Sequence, residues 1–510
     1  MCAGGWTLEA AEALCPGDAA AGDALVGLHA LIDKHLVQRT DGTREPRFTM
    51  LEMIREFALE RLAARGAVSA AQRAHAAHAL RFAERAASYL HGPEQAAWFD
   101  RLDDEVANLR VALTWLLESG EGQDARRLAW ALHWFWHVRG YLTEGRDWLD
   151  RAIAARGSGG GMDDAPSDVE EARTRYAAGL LAGVQGDLVA ARAHLERSAE
   201  LWRGLVATTA EGYDARPSLV RALIQLLRTL GLQGDPSVPR RLPEALAVAY
   251  ALDDRRLNAE VRFGHGRGLL HSGGDVAPAR WMLLEAHTSF HDMDDLWHMG
   301  NIQVDLGVIA LLESDIPGAR RGLGEALTAA RALKDQALEA LACHNLGEVA
   351  RLTGDDVEAA TQYERSLRLY RAMGARAEAP RLVHNRGYLA LHAGEPECAR
   401  ARFAKSLALF DALGQRRGMA EAVAGLAAVA AQEGTPEAGL RAAHLWAAAD
   451  AAHRAGGTHA WPVDQAERDR YEPAARAAAG ARAFDAAYDA SRSAPLDDIV
   501  SETLRTPSLP

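Results

Sequence analysis

The chain has 510 residues, 48% of them apolar and 25% charged, with a formal net charge of −13. That length accommodates several domains at roughly 100–200 residues each. No stretch approaches the ~18 uninterrupted apolar residues of a membrane helix, and so acidic a chain is poorly suited to neutralising the phosphates of a duplex.

The four cysteines, Cys2, Cys15, Cys343 and Cys398, lie far apart with no C-x-x-C pair. Neither a disulfide framework nor a zinc site is indicated, and free thiols in a reducing cytoplasm are expected. The opening MCAGGWTLEAAEALC lacks the basic and apolar regions of a secretory signal. Lysine is confined to Lys34, Lys334 and Lys405, with arginine and alanine in its place, which reads as a compositional bias.

Residues 1–66 differ in texture, and the run from 24 to 66 gives helix, short strand, turn, short strand, helix, with Val37 and Phe48 flanking the Asp41-Gly42 turn. This is a winged-helix outline. Its seven basic side chains against ten acidic ones argue against DNA reading by this element. Residues 67–156 predict a helical linker domain with aromatic-rich helices. A Gly-, Asp- and Ser-rich flexible linker follows at 157–170.

From 171 to 440 the chain repeats. Turn pairs stand at Gly274-Asp275, Ser314-Asp315, Gly354-Asp355, Gly394-Glu395 and Gly434-Thr435, each 40 residues after the last, with earlier copies at Gly186-Asp187 and Gly234-Asp235. Small residues follow at Ala279, Ala319, Ala359 and Ala399, and bulky ones four later at Leu283, Leu323, Tyr363 and Phe403. Leu-Gly pairs precede the turns at Leu306-Gly307 and Leu346-Gly347. Small residues permit two helices to cross closely, the bulky residue fills the space to the next pair, and the Gly-Asp turn ends one helix and caps the next. The pattern resembles the tetratricopeptide repeat. The proline that usually ends the second helix is replaced by Arg331, Arg371 and Asp411. The helix can then run on, which lengthens the step beyond the usual ~34 residues. The expected fold is all-α: a tetratricopeptide-like solenoid of antiparallel helix pairs, wound as a right-handed superhelix and preceded by a small winged-helix domain. Capping helices are expected at 441–493 and a tail at 494–510.

The segments outside the repeats carry a resemblance. Gly4-Gly5-Trp6 with LEAAEALC, the FTMLEMIREFALERL run, EVANLRVAL, the aromatic stretch Trp134–Trp148 and the Trp446–Tyr488 region are similar to bacterial signal-transducing ATPases of the STAND class. In such regulators, many of the LuxR or antibiotic-regulator type, a P-loop module precedes a winged helix and tetratricopeptide-like repeats follow. A P-loop needs G-x-x-x-x-G-K-[ST], because its lysine reaches the phosphates. None of the three lysines completes that motif. The resemblance therefore implies the back half of such a regulator, truncated, split or encoded without its motor.

Catalytic chemistry finds no nucleophile, base and orienter at recognisable spacing, so no catalytic residue, cofactor site or metal site is assigned. His133 and His137 have a ligand spacing, as do His287 with His291 and His75 with His78. A metal site needs three or four convergent ligands, and a packed helix is the expectation for each pair. Asp292, Asp294 and Asp295 lack a calcium-type loop and suit a helix end.

The expected role is a non-catalytic sensor or interaction scaffold of a bacterial regulator, taking a protein, a peptide or a small effector on its repeats. The alternatives are a DNA-binding regulator acting through the winged helix, and a fragment of an ATP-hydrolysing regulator whose P-loop is encoded upstream. The candidate partner-binding residues form a stripe. His344, Glu348 and Arg351 share one face of a first helix, and Arg381, His384 and Tyr388 stand one repeat later. The stripe is expected to be solvent-facing, so that replacing Arg351, His384 and Tyr388 with alanine leaves the melting temperature nearly unchanged.

Overall fold

In the computed structural model, residues 2–15, 21–41, 45–155, 168–208, 214–233, 235, 237–271, 276–375, 379–493 and 495–505 are described. The Asp41-Gly42, Gly234-Asp235 and Gly274-Asp275 turns and the Gly-rich linker lie wholly or partly outside those residues. The chain forms two compact units, one of residues 1–137 with 144–178 and one of 138–143 with 179–510.

The first unit begins with α1 (Leu8–Leu14), capped by Thr7, whose hydroxyl accepts from the Ala10 amide at 3.2 Å. Then come α2 (Ala21–Asp33), β1 (Gln38–Asp41), β2 (Pro46–Thr49) and α3 (Glu52–Ala64), the order expected for 1–66. The strands pair antiparallel, Gln38 opposite Thr49. Trp6 exchanges two backbone hydrogen bonds with Phe48, at 2.9 and 2.8 Å. Val37, Phe48 and Leu28 form the small core here. Next are α4 (Val68–Ala87), α5 (Gln95–Glu118), α6 (Gly122–Arg139) and α7 (Leu142–Ala154). The Asn108 amide on α5 donates to Gly5 O at 2.8 Å, and Arg47 on β2 pairs with Glu105 at 2.6 Å. These bonds draw 1–66 into one unit with the helices that follow it.

The second unit is built from helix pairs. Its elements are the latter part of α8 (Asp168–Gln185), α9 (Leu188–Thr208), α10 (Arg216–Leu232), α11 (Val238–Tyr250), α12 (Arg255–His271), α13 (Val276–His291), α14 (Leu296–Leu312), α15 (Ile316–Leu333), α16 (Gln336–Leu352), α17 (Asp356–Ala372), α18 (Ala379–His392), α19 (Pro396–Ala412), α20 (Arg416–Gln432), α21 (Pro436–Ala455), α22 (Pro462–Ala479), α23 (Ala481–Ala490) and α24 (Leu496–Arg505). No strand occurs among its described residues. From α10 to α21, each first helix packs on the second helix after it and on the neighbouring pair. The fold is all-α, a tetratricopeptide-like solenoid.

The turns work as their residue types require. Ser314, Gly354, Gly394 and Gly434 all take positive φ, the left-handed conformation that ends a helix. Asp315, Asp355 and Thr435 then cap the next helix through side-chain acceptors. In three successive pairs, α14 to α19, a glycine faces a bulky side chain 16 residues on. A Cβ at Gly307 would lie 2.9 Å from Leu323, at Gly347 2.5 Å from Tyr363, and at Gly387 2.7 Å from Phe403. Ion pairs join neighbouring repeats about one step apart: Arg221–Glu260 at 2.7 Å, Arg256–Asp295 at 2.6 Å, Arg267–Asp305 at 2.8 Å, and Arg381–Glu421.

After α21 the succession changes. Helix α22 packs on α21 and also on α20 and α16. It therefore lies against the face made by the first helices and does not simply open a further pair. Helix α20, enclosed by α19, α21 and α22, is buried nearly all round, which accounts for its alanine-rich sequence.

Candidate interaction site on the first helices

The stripe expected on α16 and α18 comes together in the structure, and α22 covers it. His344, Glu348 and Arg351 rise along one side of α16, and Arg381, His384, Asn385 and Tyr388 along the facing side of α18. Arg417 and Glu421 contribute from α20, Tyr363 from α17, and Asp464 and Glu467 from the first turns of α22. Nearly all of these side chains are buried.

Arg351 is the centre of the cluster. Its guanidinium donates to Asp464 Oδ1 at 2.9 Å and to Glu467 Oε1 at 2.9 Å. It also lies 4.7 Å from the centroid of the Tyr388 ring. Arg381 pairs with Glu348 at 3.2 Å, with Asp464 at 3.1 Å, and with Glu421. The Asn385 amide bridges His344 and Glu348 at 3.2 and 3.3 Å. His392, at the end of α18, meets Asp356 at 2.8 Å and Glu467 at 2.9 Å. Among the described residues neither ring nitrogen of His384 has an aligned hydrogen-bond partner, although Nε2 lies 3.5 Å from Asp464.

The electrostatics follow from this packing. Burial would raise the Glu348 carboxyl, but Arg381 and His344 outweigh it and hold it down at about 2. Burial likewise opposes ionisation of Asp464, yet Arg381, His384 and Arg351 keep it well below the usual carboxylate range. Glu467 is lowered by His392 and Arg351 against its own burial. For His392 burial disfavours the cation, while Glu467 and Asp356 raise the net value. The carboxylates of Glu348, Asp464 and Glu467 are therefore ionised at neutral pH.

One expectation is corrected. The stripe does not face solvent: Arg351 is 1% exposed, His384 0% and Tyr388 2%. Replacing all three with alanine would empty core volume and remove the guanidinium that bridges Asp464 and Glu467, so the melting temperature would fall steeply. Sequence reasoning missed the covering residues. Asp464 and Glu467 stand three apart on α22, on one face, directly after a Trp-Pro helix start. That pattern was visible, but nothing in the 40-residue step connected it to α16.

His75 and His137 are buried and His133 is packed among aromatic rings, whereas His291 is exposed. His133 stacks on Trp130 with ring centroids 4.3 Å apart, and burial lowers its pKa to about 4. Burial lowers His75 to about 4 in the same way. In the acidic run at 292–295, Asp295 caps α14 by accepting from the His298 amide at 3.2 Å, and Asp292 pairs with Arg255.

No family model matches this chain. Rv0890c of Mycobacterium tuberculosis, provisionally named an HTH-type transcriptional regulator, is 28% identical over 282 residues, which are 53% of this chain and 30% of that protein. The chain thus spans about 30% of the length of the curated relatives it matches. Among solved structures, a Rap protein complexed with Competence and Sporulation Factor aligns with a TM-score of 0.46 at 12% identity, over 66% of this chain and 98% of that one. A STAND protein with a tetratricopeptide repeat sensor, PH0952 of Pyrococcus horikoshii, aligns with a TM-score of 0.40 at 13% identity, over 95% of this chain and 64% of that one. None of the described helices is long and apolar enough to cross a membrane.

Proposed function

We propose that the chain is a non-catalytic sensor and interaction scaffold of a bacterial transcriptional or signalling regulator, which takes a protein, peptide or small effector on the first helices of its repeats. The observation that carries this reading is the convergence of three successive first helices, α16, α18 and α20, on one charged cluster. Stacked helix pairs offer an extended face for recognition, and in this structure α22 occupies its charged part. The regulator half of the reading draws on the mycobacterial relative and on the motifs before and after the repeats.

DNA binding through residues 1–66 is less well supported. Arg47, on the second strand of the wing-like hairpin, is turned inward to Glu105 and the backbone of Gly4, Gly5 and Asp104. It is therefore not free to meet a phosphate. In the test, the full chain is titrated with ATP and magnesium by calorimetry, with duplex DNA at low salt by gel shift, and with panels of peptides and small metabolites by thermal shift. A ligand of the last kind should raise the melting temperature, as any binder of the native state does. Magnesium-dependent ATP hydrolysis, or duplex binding that weakens steeply with salt, would overturn the reading.

A further inference from the structure

Both acidic partners of Arg351 come from one helix. Among the described residues its ion pairs are to Asp464 and Glu467, both on α22. The remaining neighbours of its guanidinium, Tyr363, Asn385 and Tyr388, are neutral. Arg381 also takes one of its three acids, Asp464, from α22. Lifted away, α22 would leave a buried arginine without a counter-ion, beside a second arginine, Arg417 and a histidine with no aligned partner. Such a surface recruits carboxylates.

The manner in which α22 is attached fits removal. It breaks the repeat succession to lie over α16 and α20. Glycines in positive φ flank it on both sides, Gly457 at 64° and Gly480 at 81°. Its own sequence is broken by Pro473, which removes a helical hydrogen bond. A buried ion cluster is weak evidence for stability, because desolvation offsets the attraction and apolar packing would serve as well.

We propose that the face formed by α16, α18 and α20 receives an acidic helical segment of a partner protein, with two carboxylates one turn apart, and that α22 is its built-in occupant, which the partner displaces. This rests on the scaffold reading above and names the partner's chemistry.

The test uses the full chain and a labelled peptide of its own residues 461–480 as the probe. Wild-type chain, its face filled, should bind the probe weakly. The Asp464→Asn, Glu467→Gln double variant should bind it at least about tenfold more tightly, within the usual span of coupling between sites. Adding Arg351→Met and Arg381→Met should abolish that gain, and a probe with asparagine and glutamine at the two acidic positions should not compete. Hydrogen exchange of the wild-type chain supplies an independent readout: amides of 462–479 should open without opening of α16–α20. A double variant whose repeats stay protected yet which captures no probe would overturn the proposal. So would capture that survives loss of both arginines, or wild-type α22 amides that exchange only with the whole unit. Capture accompanied by doubling of the chain's mass in light scattering would assign the face to a second copy and likewise overturn it. ATP hydrolysis or salt-steep duplex binding, by contrast, strikes the scaffold reading and leaves these peptide results standing.

Discussion

A single ring shows how tightly the repeats constrain their residues. Phe403 is fully buried, and a Cβ at Gly387 on α18 would lie 2.7 Å from it, one at Gly425 on α20 only 2.4 Å. With glycine on both sides the ring cannot retreat from an added methyl group. Gly387→Ala gains helix propensity of about 0.5–1 kcal/mol but overpacks by about 1–3 kcal/mol. The expected net result is a lower denaturant midpoint with an unchanged slope. The ionic cluster gives the complementary case. Arg351→Met strips one cation from Asp464 and Glu467 but leaves Arg381 beside the first and His392 beside the second, so the loss should stay below the roughly 3–5 kcal/mol of a fully uncompensated buried charge. Much of that loss should disappear when Asp464→Asn and Glu467→Gln are added, which a double-mutant cycle of urea melts would measure. A loss that stays the same in both backgrounds would mean that the pairing contributes little.

At the scale of one element, the docking of α22 should depend on pH from both sides. Asp464 and Glu467, the acids of α22, have lowered folded values. Their contribution is complete above their ordinary values, 3.8 and 4.5, and is lost as pH falls through the folded ones. His392 has a raised folded value. Its contribution is complete below its ordinary 6.5 and is lost as pH rises through the folded one. Asp356, Glu467 and Arg470 are the charged groups that face it. Protection of the 462–479 amides, corrected for intrinsic exchange, should therefore be greatest between about pH 4.5 and 6.5 and fall on either side. In His392→Gln the alkaline fall should vanish while the acid one remains.

The helix pairs themselves were legible because every physical requirement recurs at a fixed interval. A left-handed turn, a small crossing residue and a bulky filler recur with the step, and Asp315, Asp355 and Thr435 cap as the role demands, whereas Glu395 makes no side-chain cap bond. The stripe on α16 and α18 was legible by helical spacing. Its burial was not, since no periodic signal places α22 over it; α22 belongs to no repeat, and its two acids meet one arginine, Arg351, 113 and 116 residues away. The grouping of 1–66 with the helices that follow was hidden for a similar reason, because it rests on Asn108 and Arg47, single polar residues without a motif.

For the whole molecule, the contact pattern of the second unit has a mechanical meaning. Most pairs touch only the pairs beside them, so a chain held at its two ends should yield in increments. Each released step of 40 residues would add about 130–140 Å of extended chain. Helix α22 interrupts that series, because it grips α16 and α20 at once and so staples three successive pairs together. Force spectroscopy should accordingly record small, evenly spaced extensions from the pairs α10 to α15. It should also record one larger event, of roughly three steps, when α16 to α21 give way together. Weakening that grip with Asp464→Asn and Glu467→Gln should divide the large event into its parts, turning a region that fails as a block into one that unzips.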